Sequence, residues 1–196
     1  MNNRNKSTVQ AIKWSNNGKY ICIAYADGNI ILGDVNGKRL WTRDLDSVLR
    51  CVEWSPCDQF LLFTDDKGQV VLHDLKGTVV AQVPNHTIAR DDTPPAVVAT
   101  SWHHALVATP ADSSALSGNE SAPQPQPCLC VAYANGRAQL VRNAVDPEPV
   151  LLDTGLVIRD VQWSPDGSLL AIGGSTRTGS GVGSEQLKVY FYSGKE

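Results

Sequence analysis

One short motif recurs along this chain at matched places. Trp14-Ser15-Asn16-Asn17-Gly18 returns as Trp54-Ser55-Pro56-Cys57-Asp58 and again as Trp163-Ser164-Pro165-Asp166-Gly167. Behind the first two copies the same features follow in register: a strand-like run, Asp27-Gly28 or Lys67-Gly68, a second run, then Asn36-Gly37 or Lys76-Gly77. Trp14 to Trp54, Gly28 to Gly68 and Gly37 to Gly77 are each 40 residues apart. A period near 40 made of short strands and glycine turns implies one four-stranded sheet per repeat, stacked radially as the blades of a β-propeller. A lone blade cannot bury both of its faces, so stability must come from neighbouring repeats. Function is then expected on surfaces and loops, with no single cleft to carry it.

The strand runs support an all-β, WD40-type propeller. In the first repeat, residues 11–14, 20–26, 29–35 and 38–45 read as four strands. The run Tyr20-Ile21-Cys22-Ile23-Ala24-Tyr25 is apolar at successive positions, which in so short a strand means that both faces are covered. The second repeat predicts strands at 51–54, 60–64, 69–74 and 78–83. The third emerges when Cys128-Leu129-Cys130-Val131-Ala132-Tyr133-Ala134-Asn135-Gly136 is set against residues 20–28, with Trp102 in the place of Trp14 and Trp54. Trp102 to Gly136 spans 34 residues where Trp14 to Gly28 spans 14, so about 20 are inserted. This insert, 108–127, is rich in Ser, Ala, Pro and Gln and is expected to be a mobile surface loop. The fourth repeat runs through 158–163, 169–173 and 187–192, with the Gly/Ser-rich stretch 174–185 expected as a long loop at a blade edge. Residues 1–196 thus form one partial propeller with repeats at about 9–45, 49–83, 97–154 and 158–196. Four blades, the last incomplete, suggest part of a larger protein.

Composition narrows the class. With 42% hydrophobic and 19% charged residues the chain can build a core, and a net charge of −3 with scattered basic residues argues against nucleic acid as a partner. No apolar run has the length of a membrane-spanning helix, and the polar start offers no signal-like segment, so a cytosolic setting is expected. Five cysteines, an odd number without a framework spacing, read as reduced thiols. Cys128 and Cys130 with His103 and His104 could supply four zinc ligands. The CxC spacing is wrong for that, and Cys130 shares the repeat position of Cys22, where a small buried side chain packs well. No metal site and no cofactor site is therefore assigned.

Catalytic patterns are also missing. The four histidines accompany no GxSxG elbow, and no GxxxxGK[ST] loop is present. Gly179-Ser180-Gly181-Val182-Gly183 looks like a nucleotide loop but joins two strands, without the helix N-terminus that would hold a phosphate. Asp65-Asp66 and Asp91-Asp92 read as solvated turns. Trp14, Trp54 and Trp163 are expected to pack between blades, whereas Trp41, on an outer strand, suits packing or binding equally. No catalytic residue is assigned, and the chain is read as a non-enzyme.

Several runs lie outside the generic repeat. Asn2-Asn3-Arg4-Asn5-Lys6-Ser7, Asn36-Gly37-Lys38-Arg39-Leu40-Trp41, Asn135-Gly136-Arg137 and Pro149-Val150-Leu151-Leu152-Asp153-Thr154-Gly155, together with Val161-Gln162-Trp163, resemble the first propeller of the WD repeat-containing protein 35 family, subunits of intraflagellar transport complex A. The resemblance covers nearly the whole chain except 108–127 and 174–185. It implies a large protein with two N-terminal propellers and a helical-repeat tail, of which this chain would hold part of the first propeller. It further implies a scaffold in retrograde ciliary transport, cilium assembly and membrane-protein entry, located in the cytoplasm and cilium at basal body and axoneme. Partners would be other complex A subunits and ciliary cargo, with peripheral membrane association through the complex. The Trp-Asp dipeptide is degenerate here, reading Gly33-Asp34, His73-Asp74, Arg142-Asn143 and Tyr190-Phe191, so its usual polar networks cannot be assumed. Two other readings compete: a generic WD40 adaptor, such as a ubiquitin-ligase substrate receptor or tubby-like protein, and a propeller hydrolase with acids converging on the central channel.

Overall fold

The computed structural model describes residues 7–87, 93–103, 129–178 and 181–191. Among them every regular element is a strand, and each sheet is a meander in which sequence neighbours pair antiparallel. The first sheet holds β1 (Val9–Trp14), β2 (Tyr20–Tyr25), β3 (Asn29–Asp34) and β4 (Arg39–Asp44). The second holds β5 (Leu49–Trp54), β6 (Phe60–Asp65), β7 (Val70–Asp74) and β8 (Val79–Gln82), and the third β9 (Val97–Trp102), β10 (Leu129–Tyr133), β11 (Arg137–Val141) and β12 (Val150–Asp153). The fourth has three strands, β13 (Leu156–Trp163), β14 (Leu169–Thr178) and β15 (Gly181–Phe191). The all-β propeller architecture expected from the repeat is present, and the four sheets do not close into a ring.

The repeat is exact at the level of hydrogen bonds. Trp14, Trp54, Trp102 and Trp163 pair with Ile21, Leu61, Leu129 and Leu170, so Trp102 does stand where the other tryptophans stand. Each innermost strand carries a register shift at the same place, at Gln10, Arg50, Val98 and Arg159. An extra residue there increases the local twist that lets four sheets fan around a common axis.

Three apolar clusters, one per blade junction, hold the array together. Cys22, Ala24, Ile30 and Leu32 on the downstream face of blade 1 meet Val52, Trp54, Leu61 and Phe63 on the upstream face of blade 2. Leu62, Val70 and Leu72 meet Val97, Leu129 and Val131 across the next junction, and Ala132, Ala138 and Leu140 meet Ile158, Val161 and Trp163 across the last. Each buried aliphatic side chain contributes about 1.5–3 kcal/mol of transfer free energy, so the junctions dominate stability. The apolar-throughout middle strands are thereby explained, since alternate residues serve opposite junctions.

Glycine at the second turn has a packing reason as well as a conformational one. Gly28 and Gly136 have φ of 84° and 86°, and a Cβ at either would sit 2.6 Å from the Ser47 carbonyl oxygen or 2.5 Å from that of Leu156. Both carbonyls begin the next blade. Gly68 presses against Pro95 in the same way.

Two expectations need correction. The stretch 174–185 does not form a loop at a blade edge: β14 and β15 continue through it as a long hairpin, pairing Gly174 with Gln186, Ser175 with Glu185 and Arg177 with Val182. Glycine and serine favour loops, but ladder hydrogen bonds between extending neighbours outweigh their weak intrinsic preference. Trp14 is exposed, unlike Trp54 and Trp163, because among the described residues no sheet covers the upstream face of blade 1. The insert 108–127, Asp91-Asp92 and the Asn2 to Lys6 run lie outside the described residues.

Candidate interaction surfaces

The Trp-Ser turns form one end of the array. Ser15, Ser55 and Ser164 each accept, through Oγ, the amide of the residue five places on, Tyr20, Phe60 or Leu169, at 2.9–3.0 Å. Their own amides donate back to the carbonyls of those residues, at 2.8–3.0 Å, so one hydroxyl closes each turn. Asp58 takes the place of Gly18 and Gly167 with φ of 58°, a left-handed position that Asp tolerates. Its carboxylate then reaches across the junction, accepting the Asn16 and Asn17 amides at 2.6 and 2.8 Å and the Asn16 side chain at 2.8 Å. Beside it Lys13 pairs with Glu53 at 2.9 Å. These bonds fix the position of blade 2 relative to blade 1 at the turn end.

The third turns show what remains of the degenerate dipeptide. Asp34 accepts the amides of Asn36 and Lys38, both at 2.9 Å, and Asp74 those of Lys76 and Thr78 at 2.9 and 2.8 Å. The backbone amides at Thr78 and Lys76 hold the Asp74 carboxyl below the ordinary range. These are local caps. At the third blade the dipeptide lies one residue earlier than Arg142-Asn143: Val141 pairs with Leu129 as Gly33 pairs with Ile21, so Arg142 holds the position of Asp34 and binds the buried Asp146 through Nη2 at 2.8 Å and Nε at 3.1 Å. The Arg142 guanidinium keeps that carboxyl far below its usual range.

Trp41 is settled as packing. Its Nε1 donates to the Leu75 carbonyl at 2.8 Å, Arg43 lies over its ring at 5.9 Å, and Gly77 sits against the ring face. The outer strand of blade 1 is thereby hooked to the third turn of blade 2. Trp54 stacks on Tyr20 with centroids 6.2 Å apart, and its Nε1 donates to the Lys13 carbonyl at 3.1 Å. Trp163 meets the His103 ring edge-on at 5.0 Å.

The zinc candidates are dispersed in their roles. His103 Nε2 lies 3.0 Å from the Gly167 carbonyl oxygen at the third junction, and Cys130 is buried in the apolar cluster of that junction, as Cys22 is in the first. Burial pushes the Cys22 thiol up to about 12. Cys128 and His104 lie outside the described residues. Among the described residues no three metal-capable side chains converge. Asp65 is a buried turn cap, accepting the Lys67 and Gln69 amides at 3.0 and 2.8 Å. Of the glycine-rich stretch, Gly181, Val182 and Gly183 belong to β15. His73 is buried, with Nδ1 3.3 Å from the Gly77 carbonyl oxygen, and burial lowers its pKa, so it is neutral at pH 7. A cavity of about 170 Å³ lies beside it, lined also by Leu45, Phe63 and Val71.

Exposed aliphatic side chains line the outer rim of the array. Leu40 on β4, Val79 and Val80 on β8, and Val150 and Leu151 on β12 are all exposed. Each complete blade therefore shows aliphatic side chains on its fourth strand. Sequence reasoning missed this rim. The paired aliphatics of outer strands resemble core residues, and only the position of the strand exposes them.

A rigid fan of blades with short turns and an apolar rim defines a WD-repeat propeller scaffold. Residues 1–196 match the β-propeller family described as WDR35/TULP4 N-terminal, and the chain belongs to that family. It is 34% identical to WD repeat-containing protein 35 of Rattus norvegicus over 179 residues, covering 90% of this chain and 14% of that protein. The Homo sapiens protein of the same name is 35% identical over 176 residues, 89% of this chain and 14% of that protein. Tubby-related protein 4 of Homo sapiens is 31% identical over 185 residues, covering 86% of this chain and 12% of that protein. The chain thus spans about one seventh of the length of the first of these relatives. Among solved structures, the computationally designed Ika4 protein superposes with a TM-score of 0.59 at 15% identity, covering 95% of this chain and 92% of that one. Among the described residues no helix is long and apolar enough to cross a membrane.

Proposed function

We propose that this chain is a non-catalytic interaction scaffold, part of the first propeller of a subunit of intraflagellar transport complex A. In that role it acts in retrograde ciliary transport, cilium assembly and the entry of membrane proteins, at the basal body and axoneme. The observation that carries the reading is the similarity to WD repeat-containing protein 35 along 90% of the chain. The geometry supports the scaffold half: its polar side chains serve turns and junctions, and its exposed aliphatics lie on a rim where partner subunits or cargo would dock. Similarity to tubby-related protein 4 favours a second reading, a WD40 adaptor of tubby-like type.

The test is a tagged full-length protein carrying this segment, expressed in ciliated cells. Co-purification with complex A subunits and signal at the ciliary base and axoneme are expected. Diffuse protein that never recovers those subunits would refute the transport reading and leave the adaptor. Deleting 108–127 is expected to leave association intact, because the strands on either side pair directly, Trp102 with Leu129, and hold their register without the insert.

A further inference from the structure

The cavity beside His73 marks a contact that blades 3 and 4 make and blade 2 does not. Val71, Gln139 and Lys188 hold one register position on the third strand of their blades, paired with Phe63, Val131 and Ile172. Those partners lie in the three junction clusters, so the position faces the preceding blade. In blades 3 and 4 a polar side chain there holds the linker that enters the blade. Gln139 donates Nε2 to the Pro84 carbonyl at 2.8 Å and accepts the His86 amide at 2.9 Å. Lys188 donates Nζ to the Thr154 carbonyl at 2.6 Å. In blade 2 the residue is Val71, short and apolar, and it lines a cavity of about 170 Å³ together with Leu45 and Ser47 of the linker. The linker carbonyl that matches Thr154 is that of Leu45, because the Leu45 amide donates to Gly28 as the Thr154 amide donates to Gly136.

The rest of the lining sets what can take the place of the absent clamp. Leu49, Phe63 and Val79 are apolar, Asp65 brings a buried carboxylate, and among the described residues no lysine or arginine contributes. His73 is neutral at pH 7 and adds no opposing charge. Gln69 and Val79 are exposed and give a path from solvent. A cavity of roughly 150 Å³ admits benzene, so this one has room for a stem of about five heavy atoms. A buried cation needs a counter-charge and acceptors for its donors, which Asp65 and the linker carbonyl offer. We propose that this cavity binds a primary ammonium on a short aliphatic stem, seated against Asp65 and Leu45 in the way that Lys188 is seated on Thr154 in blade 4. A free aliphatic amine and the lysine side chain of a partner carry that same chemistry. The site stands whether or not the chain serves ciliary transport.

Calorimetric titration of the full-length protein carrying this segment with n-butylammonium chloride tests it, with n-butanol as the uncharged probe and sodium chloride as the ionic control. Saturable binding in the roughly millimolar range is expected for the ammonium, and binding at least about tenfold weaker for the alcohol. Asp65→Asn keeps an acceptor for the Lys67 and Gln69 amides but removes the charge, and is expected to weaken the ammonium about tenfold. Val71→Lys and Val71→Gln supply the clamp from within, as in blades 4 and 3. Both are expected to abolish ammonium binding, with melting temperatures no lower than that of the wild type. Nα-acetyl-lysine amide separates the two sources: affinity equal to that of n-butylammonium assigns the site to a lysine side chain, and its failure to bind beside n-butylammonium that does bind assigns it to a free amine. Equal affinity for alcohol and ammonium, ammonium binding that survives Val71→Lys, or unfolding of both Val71 variants would each overturn the proposal.

Discussion

Trp54 and Trp14 occupy the same repeat position and differ only in what covers them, which makes their truncation a direct measure of a blade junction. Trp54 is buried against Tyr20 and donates to the Lys13 carbonyl at 3.1 Å. Trp54→Ala removes one of the two tryptophans of the first junction and the partner of that carbonyl. Truncating a buried aromatic typically costs about 3–5 kcal/mol, the spread reflecting how far the site collapses. For a chain of this size each kcal/mol is worth about 2–4 °C, so a loss near 4 kcal/mol lowers the melting temperature by roughly 8–16 °C. Trp14→Ala removes an exposed ring and is expected to cost within about 0.5–1 kcal/mol, as surface substitutions do. Both variants are measured by circular-dichroism melts at one protein concentration. Partner binding of the Trp54 variant should fall only as its folded fraction falls. Equal losses at the two positions would refute the junction argument, and a normal melting temperature with lost binding would make Trp54 a recognition residue.

Gly136→Ala combines a left-handed φ, worth about 1–2 kcal/mol, with a clash against the Leu156 carbonyl, worth about 1–3 more, whereas Gly18→Ala meets open space and carries only the first. Urea titrations of the two should differ by at least about 1 kcal/mol, and equal midpoints would disprove the close approach. The exposed Cys57 is expected to react with a thiol reagent in the native protein, whereas Cys22, buried and pushed up to about 12, should react only after unfolding, as a mass-resolved time course will show. Asp146 is held below its unfolded value of about 3.9 by Arg142, so its contribution is present above that value and is lost as pH falls below it. Asp146→Asn should lower the melting temperature at neutral pH and flatten its fall between about pH 5 and 2, and an unaltered pH profile would show that the pair contributes nothing.

The sequence by itself determined the repeating unit. A tryptophan before a serine turn, a glycine where the next blade begins and an unbroken apolar middle strand are local requirements, so they repeat wherever the local structure repeats. That is why four sheets could be read from residues such as Trp14, Gly28 and Cys22, and why Trp102 could be placed across an insert. What a residue faces is another matter. Trp14 and Trp54 are alike in sequence yet one is exposed and one buried, because burial depends on whether a neighbouring sheet exists. The hairpin through Gly174 and Ser175 reads as a loop until each strand has the other to bond. Trp41 becomes packing only when the Leu75 carbonyl and Gly77 are brought to it from the next blade. The aliphatic rim at Val79, Val80, Val150 and Leu151 is exposed because those strands are outermost, a fact of stacking that composition and spacing do not encode. The hydrophobic effect is non-directional, so the sequence specifies which side chains seek cover and the tertiary arrangement alone decides which of them find it.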